Sequence, residues 1–355
     1  MREVSKPEKQ ATTKVTEPAG IVAASGMPAL ESAELQARHR RYLQAATSDN
    51  TRRTYRSAIH RFERWGGRLP TDRDTLIRYL LAHAETLNTR TLDVHLTALS
   101  QWHRFQGFAD PGQDPTVRKT LEGMRRVHGQ PKRKARALRL EHLVALIDWL
   151  QTQPESLKKH RDLALVQTGF FGAFRRSELV SIQVEDLSWE SEGLIIRLPR
   201  SKTDQQGEGL QRALPAGNGQ ICPVRALRNW LLVAEITSGP VFRPISRWNE
   251  CQTRALRPAA VNELLKSLGT ACGFDFVPEL SSHSFRRGLS TSAARENLSF
   301  EAIKKQGGWK NDAVVRGYID EGRQFADNVA TTLINELNQL LEKDSKQYDS
   351  DVNDL

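Results

Sequence analysis

The sequence predicts a mainly α-helical protein of two domains, with one small antiparallel sheet in the second domain. The chain has 355 residues, whereas one compact domain typically has about 100–200. Apolar residues recur at intervals of three and four through most of the chain, which is the pattern of helices with one buried face. Residues 187–214 instead contain two short strand-like stretches around a polar turn. We therefore expect an all-helical domain followed by a mostly helical domain that contains a sheet.

Five helices are expected in the first domain, which we place at residues 31–128 after a disordered segment at 1–30. The first thirty residues contain few large apolar side chains, so they cannot bury enough apolar surface to fold. The expected helices are Glu34–Ala46, Asn50–Trp65, Asp72–His83, Thr89–Phe105 and Pro115–Val127. Leu81 and Phe105 fall on the apolar faces of the third and fourth helices, and we expect both to be buried.

The second domain, placed at residues 137–326, is expected to contain the sheet near its middle. Helices are predicted at Leu140–Leu150, Lys159–Phe171, Cys222–Ile236 and Pro258–Ala271, and strands at Leu187–Pro199 and Leu210–Leu214. A further amphipathic helix is predicted at 327–341, with an apolar stripe of Val329, Leu333, Ile334, Leu337 and Leu341. The tail at 342–355 has five acidic residues and two lysines, and we expect it to be disordered.

Composition favours a nucleic-acid partner and argues against several other classes of protein. The net charge is +10 and the isoelectric point is about 9.7, as in proteins that bind a polyanion; a basic protein of another kind is the alternative. Three separated cysteines form no CxxC pair, so neither a disulfide framework nor a zinc site is indicated. No apolar run approaches the ~20 residues of a membrane helix, and no signal peptide is recognisable. We expect a cytoplasmic, nucleoid-associated protein without a metal.

A strongly basic segment joins the two domains. Residues 125–136 carry six positive charges and no acidic residue. A run of charge is most often a solvated surface, but its place between two domains favours a tether that crosses a phosphate backbone. We set the linker at 129–136 and take Lys132, Arg133 and Lys134 as DNA-binding candidates.

Four residues of the second domain could together break a phosphodiester bond without a metal ion: Arg175, His283, Arg286 and Tyr318. Two guanidiniums can hold the non-bridging phosphate oxygens and offset the charge that builds in the transition state. An imidazole can transfer a proton, and a tyrosine hydroxyl is a nucleophile that leaves a covalent bond to phosphate. His283 and Arg286 are three residues apart and would share one face of a helix.

Each of these residues has a structural alternative when it is considered alone. Arg175, expected at the end of a helix, would ordinarily be a surface arginine paired with Glu178; here we take Glu178 as the carboxylate that holds Arg175 in place. A lone histidine or tyrosine is more often structural than catalytic. Tyr318, expected after a short helix, is preferred to Tyr348 because the acidic tail would repel a phosphate. Lys202, on the turn between the strands, could protonate a departing 5′ oxygen.

Further residues are candidates for binding DNA outside the reaction centre. In the first domain they are Arg52, Arg53 and Arg56 on the second helix, and Arg90, Thr91 and His95 on the fourth. In the second domain, Arg257 and Asn262 stand at the start of a helix that could enter the major groove, where arginine recognises guanine and asparagine recognises adenine. Exposed arginines contact phosphate more often than bases.

The motifs and their order resemble those of the tyrosine recombinase (phage integrase) family, and most of all its Cre-type members. The similarity spans Glu34–Leu341. The family's arginine segment is matched by Arg175–Glu178, its β-turn lysine by Lys202, its H-x-x-R box by His283 and Arg286, and its nucleophile by Tyr318. Nine residues before the nucleophile most members have histidine, and Trp309 matches the tryptophan of the Cre type. An indole can only donate a hydrogen bond, so His283 is the better candidate for the general base.

The resemblance implies both a fold and an activity. It implies a SAM-like core-binding domain and a tyrosine recombinase catalytic domain, with Arg175, Lys202, His283, Arg286, Trp309 and Tyr318 as catalytic residues. Tyr318 would form a 3′-phosphotyrosyl bond, and a Holliday junction would be resolved without ATP, a metal or another cofactor. The implied partners are double-stranded DNA with inverted-repeat sites and three further copies of the chain, with the helix at 327–341 docked on a neighbour. A monomer is expected off DNA, and an accessory DNA-binding protein is a further candidate partner.

Two other functions fit the same residues. A type IB topoisomerase uses a similar set of side chains but relaxes supercoils as a monomer, and the amphipathic helix beyond Tyr318 favours the recombinase. A DNA-binding regulator that kept this fold and lost its chemistry is the second alternative, although all the catalytic residue types are present. Integration, excision and the resolution of dimers or cointegrates are outcomes that the resemblance leaves open.

Overall fold

The structure, a computed structural model, describes residues 33–199 and 209–353, with side chains as far as Leu341. Segment 1–30, for which we expect disorder, lies outside the described residues, and so does Lys202. The chain divides into two compact units, Met1–Lys132 and Arg133–Leu355. The division falls inside the basic segment at 129–136.

Five α-helices make up the described part of the first unit: α1 Ala33–Ala45, α2 Asp49–Trp65, α3 Arg73–His83, α4 Thr89–Gln106 and α5 Pro115–His128. Four of them begin with a side chain that accepts a hydrogen bond from a backbone N–H of the first turn: Ser48, Asp72, Asn88 and Asp114. Such caps satisfy N–H groups that have no partner inside the helix. Because these signals are local, the helices begin and end close to the predicted residues.

The core of the first unit lies among α2, α3, α4 and α5, where Phe62 and Tyr79 are completely buried. Leu81 and Phe105, which we expected to be buried, are 58% and 70% exposed. The buried face of α3 is formed by Leu76, Tyr79 and Leu80. At about 100° per residue, Leu81 lies outside that face. At the same angular spacing, Phe105 lies on the side of α4 away from the buried Leu92, Leu96 and Leu99.

The second unit is mainly helical and contains the small sheet. Its helices are α6 Leu140–Thr152, α7 Leu157–Phe171, α8 Arg176–Ser181, α9 Pro223–Val233, α10 Pro258–Ala271, α11 Ser282–Arg295, α12 Phe300–Gly307, α13 Asp312–Arg323 and α14 Val329–Asn353. Its strands, β1 Leu187–Trp189, β2 Gly193–Leu198 and β3 Leu210–Pro215, pair antiparallel in the order β1-β2-β3. The stretch predicted as one strand at Leu187–Pro199 is two strands, because the chain reverses at residues 190–192.

Two hydrophobic clusters form the interior of the second unit. The larger includes Phe170 of α7 and Phe285 of α11. The smaller includes Ala173, from the turn after α7, and Trp309, with Tyr318 packed against it. Two of the candidate catalytic residues therefore lie in the smaller cluster, beside the end of α7.

The C-terminal helix α14 is longer than expected. It begins at Val329 and continues to Asn353, whereas we expected the helix to end at Leu341 and the tail to be disordered. Residues 342–353 contain neither glycine nor proline, the residues that most often end a helix. The predicted apolar stripe is exposed along α14, with Leu333 at 53%, Leu337 at 59% and Leu341 at 68%.

Candidate active site

Arg175 lies in the turn between α7 and α8. Ala173 has a φ of 47°, in the left-handed region, so the chain turns sharply after α7 and Arg175 becomes the residue that precedes α8. The expectation that Arg175 ends a helix is therefore corrected: it stands before one. Glu178, 3% exposed, accepts hydrogen bonds from the Arg175 N–H at 2.9 Å and from its Nη1 at 2.5 Å. One buried carboxylate thus holds both the backbone and the side chain of Arg175.

His283 and Arg286 lie one turn apart on α11. His283 is exposed, whereas Arg286 is 2% exposed. The Arg286 guanidinium donates from Nη1 to the carbonyl oxygen of Ala173 and from Nη2 to that of Gly307, the latter at 3.1 Å. Arg286 thereby joins the turn that leads to Arg175 to the end of α12.

Trp309 and Tyr318 lie close to Arg286. Gly308 ends α12 with a φ of 57°, a left-handed conformation that glycine adopts without steric strain. Trp309 follows, with its ring centroid 4.6 Å from Arg286 Cζ. The ring centroids of Trp309 and Tyr318 are 5.5 Å apart. The indole therefore lies close to both the buried guanidinium and the candidate nucleophile.

Tyr318 lies within α13 and not, as we expected, after a short helix. Asn311 caps this helix by accepting from the Ala313 N–H, and no proline interrupts it before Arg323. An ion pair between Arg287 of α11 and Glu321, one turn after Tyr318, ties α13 to α11. The helix that carries Arg286 therefore also holds the helix that carries Tyr318.

A third arginine, which was not among the candidates predicted from the sequence, belongs to this cluster. Arg212, on β3, is 1% exposed, and its Nη2 donates to the carbonyl oxygen of Gly307 at 2.8 Å. A signal was available in the sequence. Arg212 is two residues from both Leu210 and Leu214, and residues two apart in a strand share one face. An arginine at an inward position of a short strand needs a polar partner in the interior.

The cluster is electropositive. Three guanidiniums, of Arg175, Arg212 and Arg286, interact electrostatically with one carboxylate, that of Glu178. Burial, together with the charge of Arg175, lowers the pKa of Arg286 to about 10, against the opposing effects of Glu178 and Tyr318. Burial also lowers the pKa of Arg212 to about 10. Both values lie well above neutral pH, so both side chains keep their charge, and the site suits an anion such as a phosphodiester.

Lys202 is in the segment that connects β2 to β3, outside the described residues. Since β3 also carries Arg212, the ends of this segment belong to the sheet that reaches the cluster. The catalytic role of Lys202 remains our proposal from the sequence.

The candidate DNA-binding residues of the first unit have different surroundings. Arg53 and Arg90 line an open groove of about 600 Å³ between α2 and α4, together with Thr91 and His95. Arg56 is exposed. Arg52 instead donates to the carbonyl oxygens of Gln44 and Thr47 and pairs with Asp49. The Arg52 guanidinium thus connects α1 to α2, which reduces its capacity for phosphate.

In the second unit, Arg257 and Asn262 have different surroundings. Arg257 precedes α10, is exposed and lies 3.5 Å from Glu263. The Asn262 Oδ1 accepts a hydrogen bond from the Ser282 N–H at 2.8 Å. Asn262 thus supports the start of α11 in the free protein. Bidentate recognition of adenine would need that same oxygen.

The linker candidates Lys132, Arg133 and Lys134 are exposed on either side of the division between the units. Over residues 33–199 and 209–353, no helix has the length and apolar character needed to cross a lipid bilayer.

Comparison with known proteins assigns the chain to a family. Residues 136–324 match the model of the phage integrase family. The chain is also 36% identical over 310 residues to an integrase/recombinase XerD homolog of Selenomonas ruminantium, across 85% of this chain and 90% of the relative. The chain belongs to the phage integrase family. This tyrosine recombinase is 25% identical over 268 residues to recombinase Cre of Escherichia phage P1, across 70% and 76% of the two chains.

Solved structures share the fold at low sequence identity. A lambda integrase dimer bound to a COC′ core site gives a TM-score of 0.55 with 17% identity, over 82% of this chain and 78% of the other. The Tn1549 transposon integrase in complex with transposon right end DNA gives 0.54 with 16% identity, over 86% and 97%. The predicted fold, mainly α with a small antiparallel sheet in a tyrosine recombinase catalytic domain, is confirmed. Family membership makes the protein a DNA-cleaving and rejoining enzyme of site-specific recombination.

Proposed function

We propose that the protein is a site-specific recombinase whose Tyr318 forms a 3′-phosphotyrosyl intermediate. The arrangement around Arg286 carries this proposal. Its guanidinium bonds to the carbonyl oxygens of Ala173 and Gly307, and the Trp309 ring lies close to both this guanidinium and the Tyr318 ring. Segments more than a hundred residues apart thus bring cationic donors to one tyrosine. The Trp309 indole N–H supplies a further donor for a phosphate oxygen.

The proposed cleavage step exchanges one phosphate ester for another. The Tyr318 oxygen forms a bond to phosphorus as the bond from phosphorus to the 5′ oxygen breaks. His283 accepts the tyrosine proton, and Lys202 supplies a proton to the leaving oxygen. Arg175 and Arg286 donate to the non-bridging oxygens, where negative charge builds. Rejoining reverses the step with the 5′-hydroxyl of a partner strand, so the ester bond is conserved and the exchange requires neither ATP nor a metal ion.

Assembly on DNA is part of the proposal. The exposed apolar stripe of α14 is unusual for the surface of a monomer. We propose that the part of this helix within 327–341 docks on a neighbouring copy, so that four copies close a ring on two inverted-repeat sites. Strand exchange in that ring would pass through a Holliday junction. The helical domain, the basic linker and the catalytic domain would bind the same duplex, and the protein would act on nucleoid DNA in the cytoplasm.

A nicked suicide substrate tests the nucleophile. Cleavage beside the nick releases a short strand that carries the 5′-hydroxyl, and once this strand has diffused away the covalent intermediate cannot be reversed. Footprinting on the native locus supplies the site. The unmodified protein and the control Tyr348→Phe are expected to become linked to DNA. Tyr318→Phe is expected to bind the site equally well and to form no adduct, since phenylalanine keeps the ring but lacks the attacking oxygen. A denaturing gel that shows an adduct with Tyr318→Phe would contradict the assignment.

The same proteins distinguish the alternative functions. A recombinase exchanges strands between two marked duplexes that carry the site, whereas a type IB topoisomerase relaxes a supercoiled plasmid without exchange. A DNA-binding regulator would bind the site and form no adduct even with Tyr318 present.

A further inference from the structure

Arg212 is buried at the back of the candidate site, on β3 opposite Ile196 of β2. It is 1% exposed. Its Nη2 donates to the Gly307 carbonyl oxygen at 2.8 Å, and its Nη1 lies 3.4 Å from the Gln211 carbonyl oxygen. Among the described residues its Nε has no hydrogen-bond partner. A buried charge with an incomplete set of partners destabilises a fold, so stability alone does not account for arginine at this position.

The Arg212 guanidinium lies against the turn that carries Trp309. The Gly307 carbonyl oxygen accepts from both Arg212 and Arg286. A Cβ on Gly308 would lie 2.2 Å from Arg212 Nη2, so only glycine leaves room for the guanidinium there. Arg212 therefore fixes the position of this turn. Because Trp309 follows the turn, Arg212 also fixes the position of the indole next to Arg286.

Arg212 also adds charge where little water can screen it. Burial lowers the pKa of Arg212, and of its two charged neighbours Glu178 opposes this effect and Arg175 adds to it. Arg212 is therefore close enough to Arg175 and Glu178 for their charges to interact. In a poorly hydrated interior such interactions are stronger than at the surface. One carboxylate, Glu178, cannot balance three guanidiniums.

We propose that Arg212 is a positioning residue of DNA cleavage, which holds the Gly307–Trp309 turn and Arg286 in place. Its buried positive charge also contributes to the attraction of the phosphodiester. This rests on the proposed function of the site. Because Arg212 is covered by its neighbours, it acts through Arg286 and Trp309 and not by contact with DNA.

Replacement of the charge tests the proposal. Arg212→Gln keeps a donor and removes the charge; the matched control is Arg197→Gln, an exposed arginine on β2. We expect Arg212→Gln to form the covalent adduct about ten- to a hundred-fold more slowly, somewhat less than the ~10²–10³ typical of a lost direct donor. Site affinity and the melting temperature are expected to match those of Arg197→Gln. Equal cleavage rates for the two proteins would overturn the role of Arg212, whereas an unmodified protein that never traps DNA would overturn the proposed function itself.

A second pair of variants decides the question if Arg212→Gln does not fold. Gly308→Ala places a methyl group against Arg212 and displaces the guanidinium without removing it. Gly273→Ala imposes similar backbone strain, since Gly273 has a φ of 70°, in open space. We expect a folded Gly308→Ala protein to bind the site normally and to cleave about ten-fold more slowly than Gly273→Ala. Equal rates would overturn the proposal.

Discussion

Arg286 is the residue through which the parts of the candidate site are connected. It is almost fully buried, and both of its terminal nitrogens bond to backbone carbonyl oxygens, of Ala173 and Gly307. Arg175 is held in a different way, by the carboxylate of Glu178. The planar fork of Arg286 makes two directed bonds that a lysine cannot make together, whereas the Arg175 guanidinium makes one bond to Glu178 and its backbone N–H makes the second. The orientation of each guanidinium is therefore set before DNA binds.

Lysine at either position is expected to separate cleavage from binding. Arg175→Lys and Arg286→Lys keep the positive charge, so site affinity in a gel-shift assay should change little. The rate of adduct formation on a suicide substrate should fall by about 10²–10³, the usual loss when one preorganised transition-state donor is removed. Arg176→Lys, at the exposed neighbouring position, is the matched control. Equal losses of binding and cleavage would show that these arginines are ordinary phosphate contacts.

At the scale of secondary structure, α11 organises the second unit's site. It carries Arg286 towards the turn after α7, and its Arg287 holds α13 through Glu321. Its first turn is supported from α10, because Asn262 accepts the hydrogen bond of the Ser282 N–H. The orientation of α11 thus depends on side chains of its neighbours as well as on its own cap at Ser281.

Asn262→Ala is expected to lower stability and to leave the base preference unchanged. Removal of the amide leaves the buried Ser282 N–H without its partner, at a cost of about 1–3 kcal/mol. Thermal melting measures this loss, and binding to sites with single base changes measures the preference. Arg257→Ala is the comparison, since its exposed guanidinium could still contact a base. A relaxed preference at one base position with an unchanged melting temperature would instead make Asn262 a reader of DNA.

At the scale of the whole molecule, the basic segment and α14 indicate how the protein works on DNA. The two compact units divide within the basic segment, and the positive charges there suit a phosphate backbone. Beyond α13, the apolar side chains of α14 are exposed. A helix with such a stripe at a chain end gains stability when another surface covers it.

Truncation after Gln324 is expected to leave a folded protein that binds one site but does not bring two sites together. The matched control is truncation after Leu341, which removes only the acidic tail and keeps the apolar stripe. Circular dichroism reports folding, and gel shift with sizing on DNA reports the four-protomer complex. If the shorter protein still forms that complex and recombines, the proposed docking of α14 on a neighbour is wrong.

The helices, their bounds and the family motifs could be predicted from the sequence because their signals are local. Caps such as Ser48 and Asn88 and the spacing of apolar residues act within one or two turns. Leu81 and Phe105 were wrongly assigned to the core, because each lies away from the face of its helix that the neighbouring helices cover. The order and spacing of the motifs likewise indicated Arg175, Arg286 and Tyr318 as one set, but they did not show how these side chains come together.

Only the tertiary structure decided how the site is built. Arg286 bonds to a carbonyl oxygen 113 residues away, and Arg212 to one 95 residues away. Backbone carbonyl groups are the same in every residue, so no sequence pattern shows which of them will be free to accept such bonds. That depends on where α7 and α12 end and on how β3 packs beside them. The sequence by itself determined which side chains can carry the chemistry, and the packing of distant segments determined which carbonyl groups hold them.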